Sequence, residues 1–132
     1  MGLEWLDFNI LDRVKGQEFV SISTKSGSNK IYISAALIRR YLGKETKYAR
    51  FGIDYDERLL YIKPMTPHDS KAIRLARASS LAESKYINHN NLVGKIKGIA
   101  QQPKNTNIRY KAEWDTTLQA LRVHLAQPIS NI

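Results

Sequence analysis

The chain has 132 residues, 42% hydrophobic and 25% charged, an ordinary globular composition for one domain with a real core. Lys and Arg outnumber Asp and Glu by 21 to 12, giving a formal charge of +9 and a pI near 9.9, which points to an anionic partner rather than to any fold. The absence of cysteine excludes disulfides, zinc ribbons and thiol catalysis, and no apolar run reaches the length of a membrane span.

Leu3, Leu6, Ile10 and Val14 fall at helical spacing and predict a short N-terminal helix ended by Lys15-Gly16. Glu4 stands where a secretory leader has bases, and Leu6 stands where a myristoylation site has Ser or Thr. A cytoplasmic protein with no membrane partner is expected. Phe19-Val20-Ser21-Ile22-Ser23-Thr24 alternates as a half-buried strand does. Lys25-Ser26-Gly27-Ser28-Asn29 reads as a turn, and Lys30-Ile31-Tyr32-Ile33 as the second strand of a hairpin. Ser34 sits at an N-cap position, Ala35 to Leu42 makes about two helical turns, and Gly43 is placed to close them. Tyr48 to Tyr55 and Leu59 to Ile62 read as a second hairpin around Asp56-Glu57-Arg58. Pro64-Met65-Thr66-Pro67-His68-Asp69 then breaks the chain, because two prolines this close block both helix and central strand.

Beyond the break the order recurs. Lys85-Tyr86-Ile87-Asn88 echoes the strand at Lys30, and Leu92-Val93-Gly94-Lys95-Ile96-Lys97-Gly98 echoes Leu37 to Gly43. Arg109 to Asp115 echoes Arg50 to Asp56, which sets Trp114 against Tyr55, and Leu121-Arg122-Val123-His124 echoes Leu60 to Lys63. A polar insertion lies near Gln101-Gln102-Pro103-Lys104-Asn105-Thr106. The expected organisation is one domain: an N-terminal segment 1–17, a first repeat 18–64, a linker 65–70, a second repeat 71–126 and a tail 127–132.

Residues 19–64 resemble the AbrB/MazE type of swapped-hairpin DNA-binding unit. The residues that carry the likeness are Lys30-Ile31-Tyr32-Ile33-Ser34, then Leu37-Ile38-Arg39-Arg40-Tyr41-Leu42-Gly43, then the closing hairpin up to Ile62-Lys63-Pro64. Ser34 replaces the proline of that family's motif, and Gly94-Lys95 replaces the Arg pair in the second copy. The resemblance implies an α+β, mainly β fold: a small closed barrel, swapped-hairpin or double-psi-like, from two degenerate ββαββ repeats, as a monomeric pseudo-dimer or a homodimer. It also implies that Lys30, Arg39 and Arg40 contact DNA.

The candidate nucleic-acid-binding residues are therefore basic: Lys25, Lys30, Arg39, Arg40, Lys44 and Lys47 in the first unit, and Arg74, Arg77, Lys85, Lys95 and Lys97 in the second. Residues 70–125 hold ten bases against three acids, so the second unit is the more basic. Arg39 and Arg40 are expected on one side of a pseudo-twofold axis, with Lys95 and Lys97 on the other. Tyr32, Tyr41, Tyr48, Phe51, Tyr55 and Tyr61 could stack on single-stranded bases if exposed. Core packing is the commoner fate of strand aromatics and is the expectation here.

His68, His89 and His124 lack metal-ligand spacing, Ser79-Ser80 has no nucleophile-elbow setting, and turn chemistry explains Asp54, Asp56 and Glu57. No enzyme, metal or cofactor is indicated. Three readings follow: a DNA-binding transcriptional regulator or antitoxin-like protein, a small basic inhibitor or adaptor that binds an acidic protein partner, and a single-stranded DNA-binding protein.

Overall fold

The computed structural model describes residues 18–25, 28–43, 45–65, 71–77 and 83–131. The expected N-terminal helix, Lys44, His68 and Ser79-Ser80 lie outside the described residues. Strands β1 (Phe19–Lys25) and β2 (Ser28–Ile33) pair antiparallel with Lys25 opposite Ser28, so the strands claim most of the five-residue turn predicted there. Ser34 is the N-cap: its Oγ accepts from the Leu37 N–H at 3.5 Å and from the Phe19 N–H at 3.1 Å, which ties the helix start to β1. Helix α1 (Ala35–Leu37) widens into a π-helical turn, Ile38–Leu42, and Gly43 closes it at φ +84°, a conformation that suits a residue without Cβ. Then come β3 (Tyr48–Asp54), β4 (Leu59–Met65), β5 (Ile73–Arg74), β6 (Ala76–Arg77) and β7 (Lys85–Asn88). Helix α2 (Asn90–Ala100) and strands β8 (Asn107–Asp115) and β9 (Ala120–Asn131) complete the described chain. The stretch expected to be a tail from 127 is thus strand up to 131, paired with β8.

The nine strands form one antiparallel sheet in the order β5-β3-β4-β9-β8-β1-β2-β7-β6. Its two ends, β5 and β6, are consecutive in the chain and separated only by Leu75, whose N–H donates to the Lys47 carbonyl at 2.8 Å. The sheet therefore returns almost to its start as a nearly closed barrel, and few strand edges stay open. Among the described residues no helix is long and apolar enough to cross a membrane.

The pairings are mirrored between the two halves. If β1 exchanges with the β5–β6 segment, β2 with β7, β3 with β8 and β4 with β9, every pairing maps onto another pairing or onto itself. The hairpin turns agree in detail. Asp54 Oδ1 accepts from the Glu57 N–H at 3.0 Å, and Asp115 Oδ1 accepts from the Leu118 N–H at 2.9 Å. The residue before each returning strand, Arg58 or Gln119, has φ near +55° (56° and 54°). This register sets Trp114 against Ile53, and not against Tyr55 as the sequence echo suggested. Tyr55 is a turn residue, 62% exposed, while Trp114 is half-buried and stacks on Tyr41 at 5.3 Å.

Inward residues alternate along each strand and build one core: Val20 and Ile22, Ile31 and Ile33, Leu60 and Ile62, Leu121 and Val123. Leu37 and Ile38 of the first helical segment, and Val93 and Ile96 of α2, complete it. Each such side chain contributes about 1.5–3 kcal/mol by burial. β1 is buried on both faces rather than on one: Ser21 and Ser23 are enclosed, and Phe19 lies under Tyr32 and the Arg109 guanidinium. The aromatics expected in the core divide. Tyr41 and Phe51 are half-buried and pack against it, whereas Tyr32, Tyr48 and Tyr61 are half-buried on the other face of strands whose core positions go to aliphatic neighbours. The buried ring is Tyr110, whose hydroxyl donates to Gln102 Oε1 at 2.9 Å and is pushed up to a pKa of about 12 by burial. Gln102 in turn donates to the Ile22 carbonyl and to Thr106 Oγ1, so the polar insertion is an internally satisfied plug.

Candidate nucleic-acid interface

The bases singled out in the sequence that lie among the described residues do not form one surface. β2 and β7 are antiparallel neighbours, and each is followed directly by its helix, so the two helical segments leave opposite ends of the barrel. Arg39 and Arg40 lie at one end, Lys95 and Lys97 at the other. The two arginines are engaged: Arg39 Nη1 is 3.1 Å from Glu83 Oε2, and Arg40 Nη1 is 2.6 Å from Glu18 Oε1. Arg40 also lies over the Tyr41 ring at 4.9 Å. Both pairs are solvated, so each contributes less than about 1 kcal/mol. Lys25 is exposed where the β1–β2 hairpin turns, and the Lys30 amine lies over the Tyr86 ring at 4.8 Å.

Lys85 is a correction. It is enclosed, at 4% exposure, and its Nζ donates to the Thr46 carbonyl. Burial, and then the charge of Arg77, lowers its pKa. An amine held inside the wall between β7 and the entry to β3 offers nothing to a phosphate. The pattern Lys85-Tyr86-Ile87 puts Lys85 on the inward side with Ile87, and spacing alone does not reveal that the long stem lets the amine reach a backbone carbonyl.

The free positive charge gathers on the outer face of β5, β3 and β4. Cross-strand partners share a face. There Arg74 stands opposite Tyr48, Arg50 opposite Lys63, and Gly52 opposite Tyr61. Arg50, Lys63 and Arg74 are exposed, and none has a described acid within ion-pair distance. Lys63 Nζ donates to the Leu118 carbonyl at 2.6 Å, a contact that holds the amine without neutralising it. Lys47 and Arg77 are also exposed, but Arg77 pairs with the inward Lys85 on β7, and both cations bear on the Lys85 amine rather than on this face. Of the outer-face cations only Arg74 stood out in the sequence. The signal for the others is the period-two pattern: Ala49, Phe51 and Ile53 face the core, which turns Tyr48, Arg50 and Gly52 outward.

A groove of about 340 Å³ runs beside this tract, lined among others by Arg50, Gly52, Tyr61, Lys63, Leu118 and Ala120, with Asp54 at its edge. It is open because Gly52 has no side chain; a Cβ there would meet only Tyr61 Cβ, at 4.0 Å. The mirrored half shows the contrast. By the hairpin register Glu113 takes the place of Gly52, Arg122 that of Tyr61, and His124 that of Lys63. Glu113 Oε1 lies 2.7 Å from His124 Nε2 and 3.3 Å from Arg122 Nη2, and Arg122 Nη1 lies 3.4 Å from Asp115 Oδ2. The hydrogen bond from His124, with the charges of His124, Arg122 and Lys111, holds the Glu113 carboxyl below its ordinary range. One half carries the groove and the other an ion cluster.

Among the described residues no group of His, Asp or Glu could hold a metal ion. His89 is the N-cap of α2, its Nδ1 accepting from the Leu92 N–H at 3.0 Å, and Asn90 Oδ1 accepts from Asn29 Nδ2 at 2.9 Å. The Asn88-His89-Asn90-Asn91 run is therefore strand end, cap and first helical turn. Comparison with family models, with curated proteins and with solved structures finds no match.

Proposed function

We propose that this protein binds nucleic acid through the outer face of β5, β3 and β4. The observation that carries the proposal is the set of exposed cations there, Arg50, Lys63 and Arg74, without acidic partners among the described residues, on a chain of net charge +9. Each such cation that neutralises a phosphate releases condensed counterions, so affinity falls steeply with salt. Tyr48 and Tyr61 interleave with the cations on the same face, a combination suited to single strands as well as to backbone contact with a duplex. A regulator or antitoxin role and a kinship with AbrB/MazE-type units belong to this proposal. The mirrored strand pairings are what two such units joined in one chain would produce, and they support that reading.

The test is fluorescence anisotropy with short labelled single-stranded and duplex DNA at several salt concentrations. Submicromolar to micromolar binding is expected at low salt. The variant Arg50→Gln/Lys63→Gln/Arg74→Gln is expected to flatten the log–log salt slope by about two to three units, from roughly 0.7 per contact on single strands and 0.9 on duplex. Unchanged affinity and slope in a folded triple variant would overturn the assignment. Loss on Arg39→Ala/Arg40→Ala instead would move the interface to the first helical segment. No binding at any salt would transfer the cationic face to an acidic protein partner.

A further inference from the structure

We infer that the groove beside Gly52 receives one unstacked base of a single-stranded nucleic acid, with the neighbouring phosphates on Arg50 and Lys63. The inference rests on the nucleic-acid reading of the same face and adds the strandedness and the seat of the base.

Several features of the groove lead to it. The groove, at about 340 Å³, is at the small end of ligand pockets and fits one planar ring rather than a segment of chain. Its lining is apolar where a ring would rest: Tyr61 on β4, the backbone of Gly52, and Leu118 and Ala120 from the β8–β9 hairpin. Leu118, 47% exposed, leaves its side chain open toward the groove. The Lys63–Leu118 hydrogen bond fixes that wall against β4. Arg50 on β3 and its cross-strand partner Lys63 stand side by side at one end of the groove, with Asp54 two residues beyond Gly52 toward the other, so the phosphate next to a base seated on Gly52 and Tyr61 meets both cations.

A base within a duplex is paired and stacked and cannot enter a pocket of this shape; a base in a single strand can be splayed out and stacked on an aromatic side chain. The mirrored half explains why there is one seat per chain. There Glu113 takes the register position of Gly52, and its side chain, tied to His124 and Arg122, stands where Gly52 leaves space.

The experiment compares oligo-dT of about ten nucleotides, the same oligomer with every base removed, oligo-U and a duplex, by anisotropy at fixed salt. Oligo-dT is expected to bind about ten-fold more tightly than its abasic counterpart, since base–aromatic stacking is worth about that factor or more. The ratio of oligo-dT to oligo-U distinguishes a DNA from an RNA source of the base. Gly52→Val, which fills the groove while suiting a strand, and Tyr61→Leu are each expected to cut oligo-dT affinity about ten-fold. Neither is expected to change the salt slope, which reports the phosphate contacts. Equal affinity for the intact and abasic oligomers would overturn the base seat without using any variant. If Arg50→Gln/Lys63→Gln still weakens binding in that case, the nucleic-acid reading survives alone. If those charge variants also have no effect, the reading itself fails.

Discussion

At the residue scale, Glu113 ties side-chain chemistry to pH. Its carboxyl is held below the ordinary range, first by the hydrogen bond with His124 and then by nearby positive charge. A carboxylate with a lowered folded pKa stabilises the native state above its unfolded pKa, about 4.3, and that contribution disappears as pH falls through the folded value. Glu113→Gln is therefore expected to lower stability at pH 6 to 7, by no more than about 1 kcal/mol for so solvated a group. The gap from the wild type should narrow as pH falls below the ordinary glutamate range. Thermal melts of both proteins from pH 7 into acid check it, and a gap that does not change with pH would refute the assignment. Other single residues were legible from type and position: Ser34 as a cap, Gly43 as a stop, Asp54 as a turn residue. Lys85 was not, because a lysine reads as surface until the fold gives its amine the Thr46 carbonyl.

At the element scale, the hairpins and helices follow from local rules, and the misreadings come from register. A slip of two residues along a strand leaves every side chain on its own face, so the alternating pattern cannot detect it. That is how Trp114 was matched to Tyr55. The turn geometry resolves it, because the left-handed residue must be Arg58 in one hairpin and Gln119 in the other. Ser34 is the element-scale joint with the clearest consequence. Its hydroxyl serves both the Leu37 N–H and the Phe19 N–H, so Ser34→Ala removes a helix cap and leaves a buried strand donor unpaired. The expected cost is about 2 kcal/mol, read as a lower denaturation midpoint at an unchanged m-value. Ser34→Thr, which keeps the hydroxyl, should recover most of it. A loss below about 0.5 kcal/mol on Ser34→Ala would contradict the double role.

At the scale of the whole molecule, a mainly β closed barrel is expected from the resemblance and the nearly closed nine-strand sheet agrees with it, but the segment that completes the closure is not legible. β5 and β6 are two residues each, around the single inward Leu75, too short to produce an alternating run. Without that segment the distribution of charge cannot be foreseen either. It is closure that sets Arg74 beside Tyr48 and Arg50, and it is the antiparallel β2–β7 pair that sends the two helical segments to opposite ends. The basic residues nearest in sequence to a helix are thus separated, and those scattered over three strands are gathered. The most direct test is the amide footprint of a bound oligonucleotide by NMR on the full chain. Shifts should concentrate on Tyr48–Asp54 and Leu59–Met65, with Leu118 and Arg74 included and the amides of Arg39, Arg40, Lys95 and Lys97 unmoved. Shifts centred on the two helical segments, with β3 and β4 silent, would contradict the strand-face interface.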